Sequence, residues 1–311
     1  MSTKVVTTAT RLDAKSKRTL APRLAPYGFL APYVLVTVVF MLYPLVYAGV
    51  LAFHQTNGPA SQIFVGFDNF RYLATDSLFH QALMNTTVFA LASVLLQLPL
   101  SLGLALLLNS DKSRAKGFFR LILFSPNLVG QIFVGILFAV LFTPRYGLIN
   151  RFFHELTGYG LEWQWLGVPE LVMPAIILAA LWLWVGFNMI YFLAALQTVD
   201  KSLEEAARID GANRVQVFWN VTLPSIRPVV VFVLLTSIIG SFQLFELPLA
   251  MMPLSYGKGP DNSGMTLVNY LYDVGFQNAD LGLASAVGWT VAIVIFAMSL
   301  LQLKVMRVAE D

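Results

Sequence analysis

The chain has 311 residues, of which 57% are hydrophobic and only 12% charged, with no cysteine. A soluble domain carries roughly twice that share of charge, so the composition points to a membrane protein from the start. The absence of cysteine excludes disulfides, thiolate catalysis and cysteine metal sites. The small excess of 20 basic over 17 acidic residues matters less than where those charges fall.

Residues 1–26 form a polar, basic arm with Lys4, Arg11, Lys15, Lys17, Arg18 and Arg23. The uncharged stretch from Tyr27 to Phe53 follows. It is longer than the roughly 7–15 residues of a signal-peptide core and reads as a retained membrane helix. A bilayer core needs about 20 apolar residues in helical form. Six stretches qualify, at about 28–52, 82–108, 120–142, 172–197, 228–250 and 282–303. The expected fold is therefore all-α, a polytopic membrane protein with six transmembrane helices. A membrane domain covers 27–304, with an exposed loop at about 198–227 and a tail at 305–311.

Basic residues set the orientation of such a bundle. The arm, the loop after the second stretch (Lys112, Arg114, Lys116, Arg120), the loop after the fourth (Lys201, Arg208, Arg214, Arg227) and the tail (Lys304, Arg307) hold sixteen of them. Only Arg71, Arg145, Arg151 and Lys258 face the other way. Both termini and both basic loops are thus expected in the cytoplasm. The opposite loops, rich in tryptophan, tyrosine and glycine, read as short interfacial segments. Asn85-Thr86-Thr87 fits a glycosylation pattern but lies at the mouth of a span, where coincidence is the simpler reading.

The loop from Asp200 to Pro224 is the most informative segment. Ser202 and Glu205 fit a capping box that starts a helix. Gly211 suits the left-handed residue that ends it. Asn213, with Gln216 three residues on, fits a second cap, and Thr222-Leu223-Pro224 is expected to end that helix and lead back to the membrane. Phe218 and Trp219 are large enough to anchor a partner. Physics alone leaves two readings open: a docking surface, or a loop packed on its own spans or on lipid.

Three features of this loop stand at fixed spacing: Glu205-Ala206-Ala207, Gly211, and Val221-Thr222-Leu223-Pro224. Together they resemble the signature of the permeases of ATP-binding-cassette importers, which reads Glu-Ala-Ala, three residues, Gly, nine residues, Ile-x-Leu-Pro. Valine for isoleucine is the one departure. Val65–Phe70, Ala82–Thr86, Phe124–Asn127, Tyr146–Asn150, Trp165–Pro169, Ile209–Ala212 and Gly282–Ala286 are similar to the carbohydrate-type permeases. That group includes the larger permease of the maltose importer and its sugar and glycerol-phosphate relatives. The segment Ser255–Pro260 departs from that group's Thr-Gly-Gly-Gly-Pro-like turn.

The resemblance implies that Glu205, Ala206, Ala207, Asp210, Gly211, Phe218, Trp219, Leu223 and Pro224 belong to a loop seated on a cytoplasmic ATPase dimer. It further implies a second permease subunit, an extracytoplasmic solute-binding protein and a place in the bacterial or archaeal cytoplasmic membrane. ATP and Mg would sit on the partner ATPase, with no cofactor and no nucleic acid bound by this chain. The sequence has no Gly-x-x-x-x-Gly-Lys-[Ser/Thr] phosphate loop, and His54, His80 and His154 are scattered, so no enzymatic constellation emerges.

For a sugar pathway the candidates are Trp184, Asn188 and Tyr191 with Trp182 beside them, then Phe242, Gln243 and Glu246. The aromatics equally suit lipid or packing. Gln243 and Glu246, three apart, are expected on one helix face. Glu246 is costly in a span and suits either a water-lined pathway or a subunit interface. Glycerol-phosphate or another anion stays open as the solute. A secondary transporter lacks its usual intramembrane ion sites here, and a non-transporting scaffold is the other competing class.

Overall fold

The computed structural model describes residues 21–58, 61–109 and 116–308. The first twenty residues of the arm, Lys112 and Arg114 in the second loop, and residues 309–311 lie outside the described residues. The chain divides into two compact units, Met1–Ala48 and Gly49–Asp311. Helix Ala21–Thr37 passes through a π-turn at Val38–Leu42 into Tyr43–Leu51, which begins in the first unit.

Among the described residues five helices are long and apolar enough to cross a membrane. They are span one, Phe29–Leu51; span two, Ser77–Asn109; span four, Pro169–Leu196; span five, Arg214–Phe242; and span six, Leu281–Gln302. Span three is a broken pair, Lys116–Leu128 and Gln131–Leu141, bent by 99°. The single apolar stretch expected at 120–142 is thus two half-helices. Pro126 lies in the last turn of the first half, and Gly130, extended at φ −58° and ψ 151°, caps the second. Proline removes a backbone donor and so weakens the turn in which the chain bends.

The fifth stretch is corrected as well. Span five ends at Phe242, three non-helical residues follow, and a short helix occupies Glu246–Met251. Its lower end also differs from expectation. Thr222-Leu223-Pro224 does not stop the second loop helix. Arg214–Val217 runs through a π-turn at Phe218–Thr222 straight into Leu223–Phe242. The wider π-turn, closed by Leu223 N–H to the Phe218 carbonyl, lets Pro224 follow without breaking the helix.

Two packing contacts fix the halves of span three. Gly186 of span four presses against the Leu123 carbonyl in the first half. Gly135 in the second half meets Ala250 and the Leu247 carbonyl of the short helix. Without water in the bilayer, helices associate through such close backbone approach at small residues. One buried cluster joins Val134, Phe138, Ile176, Leu183 and Leu247; a second joins Phe79, Phe242, Tyr270 and Val287.

The segments away from the 198–227 loop are more structured than short interfacial stretches. They hold a two-stranded antiparallel hairpin, β1 His54–Thr56 with β2 Gln62–Phe64, and the helices Asp68–Thr75, Leu148–Thr157 and Leu267–Tyr272. Asn85 is consumed here: its amide donates to the carbonyls of Asn262 and Met265, both at 3.0 Å. Tyr270 donates to Asp76 at 2.6 Å, and burial, reinforced by that carboxylate, raises the tyrosine's pKa. Lys258 pairs with Asp273 at 2.5 Å in the same region.

Candidate functional site

Two sites emerge, one at each end of span five. The first is the 198–227 loop. Its first helix, Lys201–Ile209, starts at Asp200, which corrects the expected Ser202–Glu205 capping box. Asp200 holds the extended cap conformation while Ser202 is already inside the helix; the Asp200 carboxylate accepts the Ser202 N–H at 2.9 Å. That hydrogen bond holds the Asp200 carboxyl below its usual range. Glu205 is left free of cap duty and exposed.

The end of this helix is a complete Schellman motif. Gly211 sits at φ +87°, its N–H bonds the Arg208 carbonyl, and the Ala212 N–H reaches Ala207. Asp210, exposed, forms the C-cap. Asn213 then caps the second helix, and Gln216 completes the reciprocal box through its bond to the Asn213 N–H at 2.8 Å. This is the box that the sequence spacing predicts.

The loop presents a large uncovered apolar surface. Leu203, Ile209, Val215 and Trp219 are exposed, Trp219 to 59%. Phe218 is half-buried and meets the Trp219 ring edge-on at 5.3 Å. Ala206 is exposed, Ala207 and Leu223 are half-buried and Pro224 is exposed. Four large apolar side chains facing outward on so short a segment indicate contact with something other than water.

The second site is a cleft of about 400 Å³ where both helix breaks meet. Asn127, Gly130 and Gln131 come from the bend of span three, Leu183 and Trp184 from the middle of span four, and Glu246 from the head of the short helix. Non-helical backbone at membrane depth is tolerated where it lines a cavity, and broken helices mark solute sites in transporters. The lining offers a carboxylate, two side-chain amides and an indole, and no lysine or arginine.

The sequence candidates separate here. Trp184 and Glu246 are brought together in the cleft. Gln243 is exposed outside its lining and, across the break, does not share a helix face with Glu246, which corrects that expectation. Phe242 is 2% exposed inside the second core cluster. Asn188 is buried and donates to the Ser237 hydroxyl at 3.5 Å, tying span four to span five. Tyr191 packs between Phe187 and Phe232 on the helix surface, and Trp182 packs on Phe138. Asn127 and Gln131 were not singled out as pathway residues. The signal that would have found them is Ser125-Pro126-Asn127 followed by Gly130, a proline and glycine interrupting an apolar run. Among the described residues no group of three histidines or carboxylates is placed to hold a metal.

A predominantly helical polytopic chain, with two interrupted helices lining a cleft and a structured, apolar-faced loop at 198–227, has the features of a membrane permease. The chain belongs to the family described as binding-protein-dependent transport system inner membrane component, whose model matches residues 97–309. It is 38% identical over 283 residues to the arabinooligosaccharides transport system permease protein of Bacillus subtilis, covering 91% of this chain and 88% of that one. It is 35% identical over 276 residues to the lactose transport system permease protein of Rhizobium radiobacter, covering 88% and 91%. Among solved structures it is similar to a crystal structure of a bacterial ABC transporter involved in the import of the acidic polysaccharide alginate. That match has a TM-score of 0.80 and 25% identity, and covers 93% of this chain and 96% of that one. The chain is the membrane-spanning permease of an ATP-binding-cassette importer, a transport component rather than an enzyme.

Proposed function

We propose that this permease carries a neutral sugar, an oligosaccharide or a related polyol through the cleft between its two broken helices. The observation that carries this reading is the meeting of both breaks around Trp184, Glu246, Asn127 and Gln131. An indole offers a flat face to the C–H surface of a sugar, and the amides and carboxylate match its hydroxyls. The relatives named for arabinooligosaccharides and lactose support the same solute class.

The loop at 198–227 docks on a cytoplasmic ATPase dimer, which binds ATP and Mg and supplies the energy. Both termini lie on that side, in the cytoplasmic membrane of a bacterium or archaeon. A second permease subunit completes the pathway, and an extracytoplasmic binding protein delivers the solute. The exposed Trp219 and Ile209 support the docking reading, as does the motif from Glu205 to Pro224.

An anionic solute is the second reading, because the structural relative is involved in the import of an acidic polysaccharide. Glu246 opposes it here, since its carboxylate lines the cleft and no cation shares the lining. The test is uptake by the reconstituted complex of labelled arabino-oligosaccharides, lactose, polyols and glycerol phosphate. Competition by neutral sugars supports the first reading; strong uptake of the phosphate, undiminished by sugars, supports the second.

A further inference from the structure

Several serine and threonine hydroxyls in span five return to their own backbone. Ser225 donates to the Val221 carbonyl at 2.7 Å, Thr236 to Phe232 at 2.9 Å and Ser241 to Ser237 at 2.7 Å. That back-bonding, four residues along, is a common arrangement for such residues inside a helix. Thr222 does otherwise. Only 6% exposed, it donates to the Glu204 carboxylate at 3.1 Å, eighteen residues away in the first loop helix. The other Glu204 oxygen accepts from Arg208 at 3.4 Å, one turn along the same helix.

Thr222 is the last residue of the π-turn on which span five stands. From Arg214 to Phe242 the helix is unbroken for 29 residues, about 43 Å at the usual rise. Its far end is the break before Glu246, which lines the cleft. Lys201–Ile209 is otherwise joined to this rod through the turn at Gly211, where the chain has the freedom of glycine.

We propose that Glu204 is a positioning residue that locks the docking helix to the foot of span five, so that a displacement at the docking surface turns the long helix instead of bending the turn at Gly211. The inference rests on the docking reading above. Arg208 orients the carboxylate, and the buried Thr222 hydroxyl receives it where solvent competes least. Hydrogen bonds to a charged group are among the stronger ones, and a buried hydroxyl left without a partner is penalised.

The chain has no cysteine, so a single Gln131→Cys reporter in the cleft is unique within it. The experiment uses the complex assembled with its ATPase and second permease. It measures the labelling rate of that cysteine by a water-soluble maleimide, with and without ATP and vanadate, reading this chain separately on a gel. The parent reporter should change its rate on nucleotide trapping. Glu204→Ala and Thr222→Val should each shrink that change about tenfold, as expected for losing one hydrogen bond to a charged group, while the ATPase still co-purifies. Combining them should add little, because both remove the same bond. Glu204→Gln should restore the response, since the amide oxygen still accepts from Thr222. A full nucleotide response in Glu204→Ala with the ATPase still bound would overturn the lock alone. A parent reporter that fails to bind the ATPase would overturn the docking reading and the lock with it.

Discussion

Gly186 of span four lies directly against the backbone carbonyl of Leu123 in span three, leaving no room for a Cβ. This contact holds the first half of the broken span on the helix that carries Trp184, and so sets one wall of the cleft. Gly186→Ala is expected to separate the two helices and cost about 1–3 kcal/mol, the usual range for overpacking. Gly103→Ala in span two, which meets nothing within 4 Å, serves as the control and should be silent. Thermal unfolding of the purified permease complex in detergent compares them; equal stabilities would contradict the contact.

Gly211 makes the opposite case, because its Cβ would meet nothing yet its φ of +87° is unfavourable for other residues. Backbone strain alone is at stake. Gly211→Val should cost at least about 1–2 kcal/mol in loop stability and weaken ATPase co-purification, whereas Gly211→Asn should be milder because asparagine visits this region. A ranking in which valine is tolerated and asparagine is not would argue against the Schellman turn.

Phe218 and Trp219 are adjacent but unequal. Trp219 is exposed and available to a partner, while Phe218 is half-buried. Trp219→Ala is expected to weaken ATPase association by about 2 kcal/mol or more, the scale of an interface hot spot. Phe218→Ala should act mainly on the permease's own stability. Titrating the ATPase onto permease in nanodiscs measures the first, and proteolysis of the loop measures the second. Negligible effects of Trp219→Ala on association would place that face on lipid.

Glu246 is the charged side chain of the cleft lining. Glu246→Gln should leave ATPase association unchanged and raise the ratio of anionic to neutral solute taken up, because the repulsion is removed while a hydrogen-bonding group remains. Competition uptake with lactose against glycerol phosphate reads that ratio. A ratio unaltered by the change would remove Glu246 from the solute pathway.

How far the sequence foretold these features depends on what kind of force sets each one. The Asn213–Gln216 cap and the Gly211 turn follow from local hydrogen bonding and backbone sterics, and both are legible in the residues alone. Asp200 and Ser202 are both good caps two residues apart, and the choice between them depends on where the helix begins. Summed hydropathy counts apolar residues without regard to direction and gives no angle for span three; Pro126, a residue that kinks helices, and Gly130 carry the local signal. The break after Phe242 has no glycine or proline at residues 243–245 to announce it. It is set by packing, with Leu244 buried and Gly135 seated on Ala250 beyond. Pro224 misleads in the other direction, since a π-turn absorbs it. Glu246 is recognisable as costly in a span and Trp184 only as one of several aromatics, and their meeting with Asn127 and Gln131 depends on two breaks that only the folded chain brings together.

The most direct test of the account is the energy source of uptake. The permease is reconstituted into vesicles with its second permease, ATPase and binding protein, with ATP and Mg enclosed on the ATPase side, and labelled arabinotriose and lactose are supplied outside. Uptake of at least one of these sugars should require ATP, survive collapse of proton and sodium gradients by ionophores, and fall when Trp219→Ala weakens docking. Uptake that proceeds without ATP and stops with the ionophores would contradict the account.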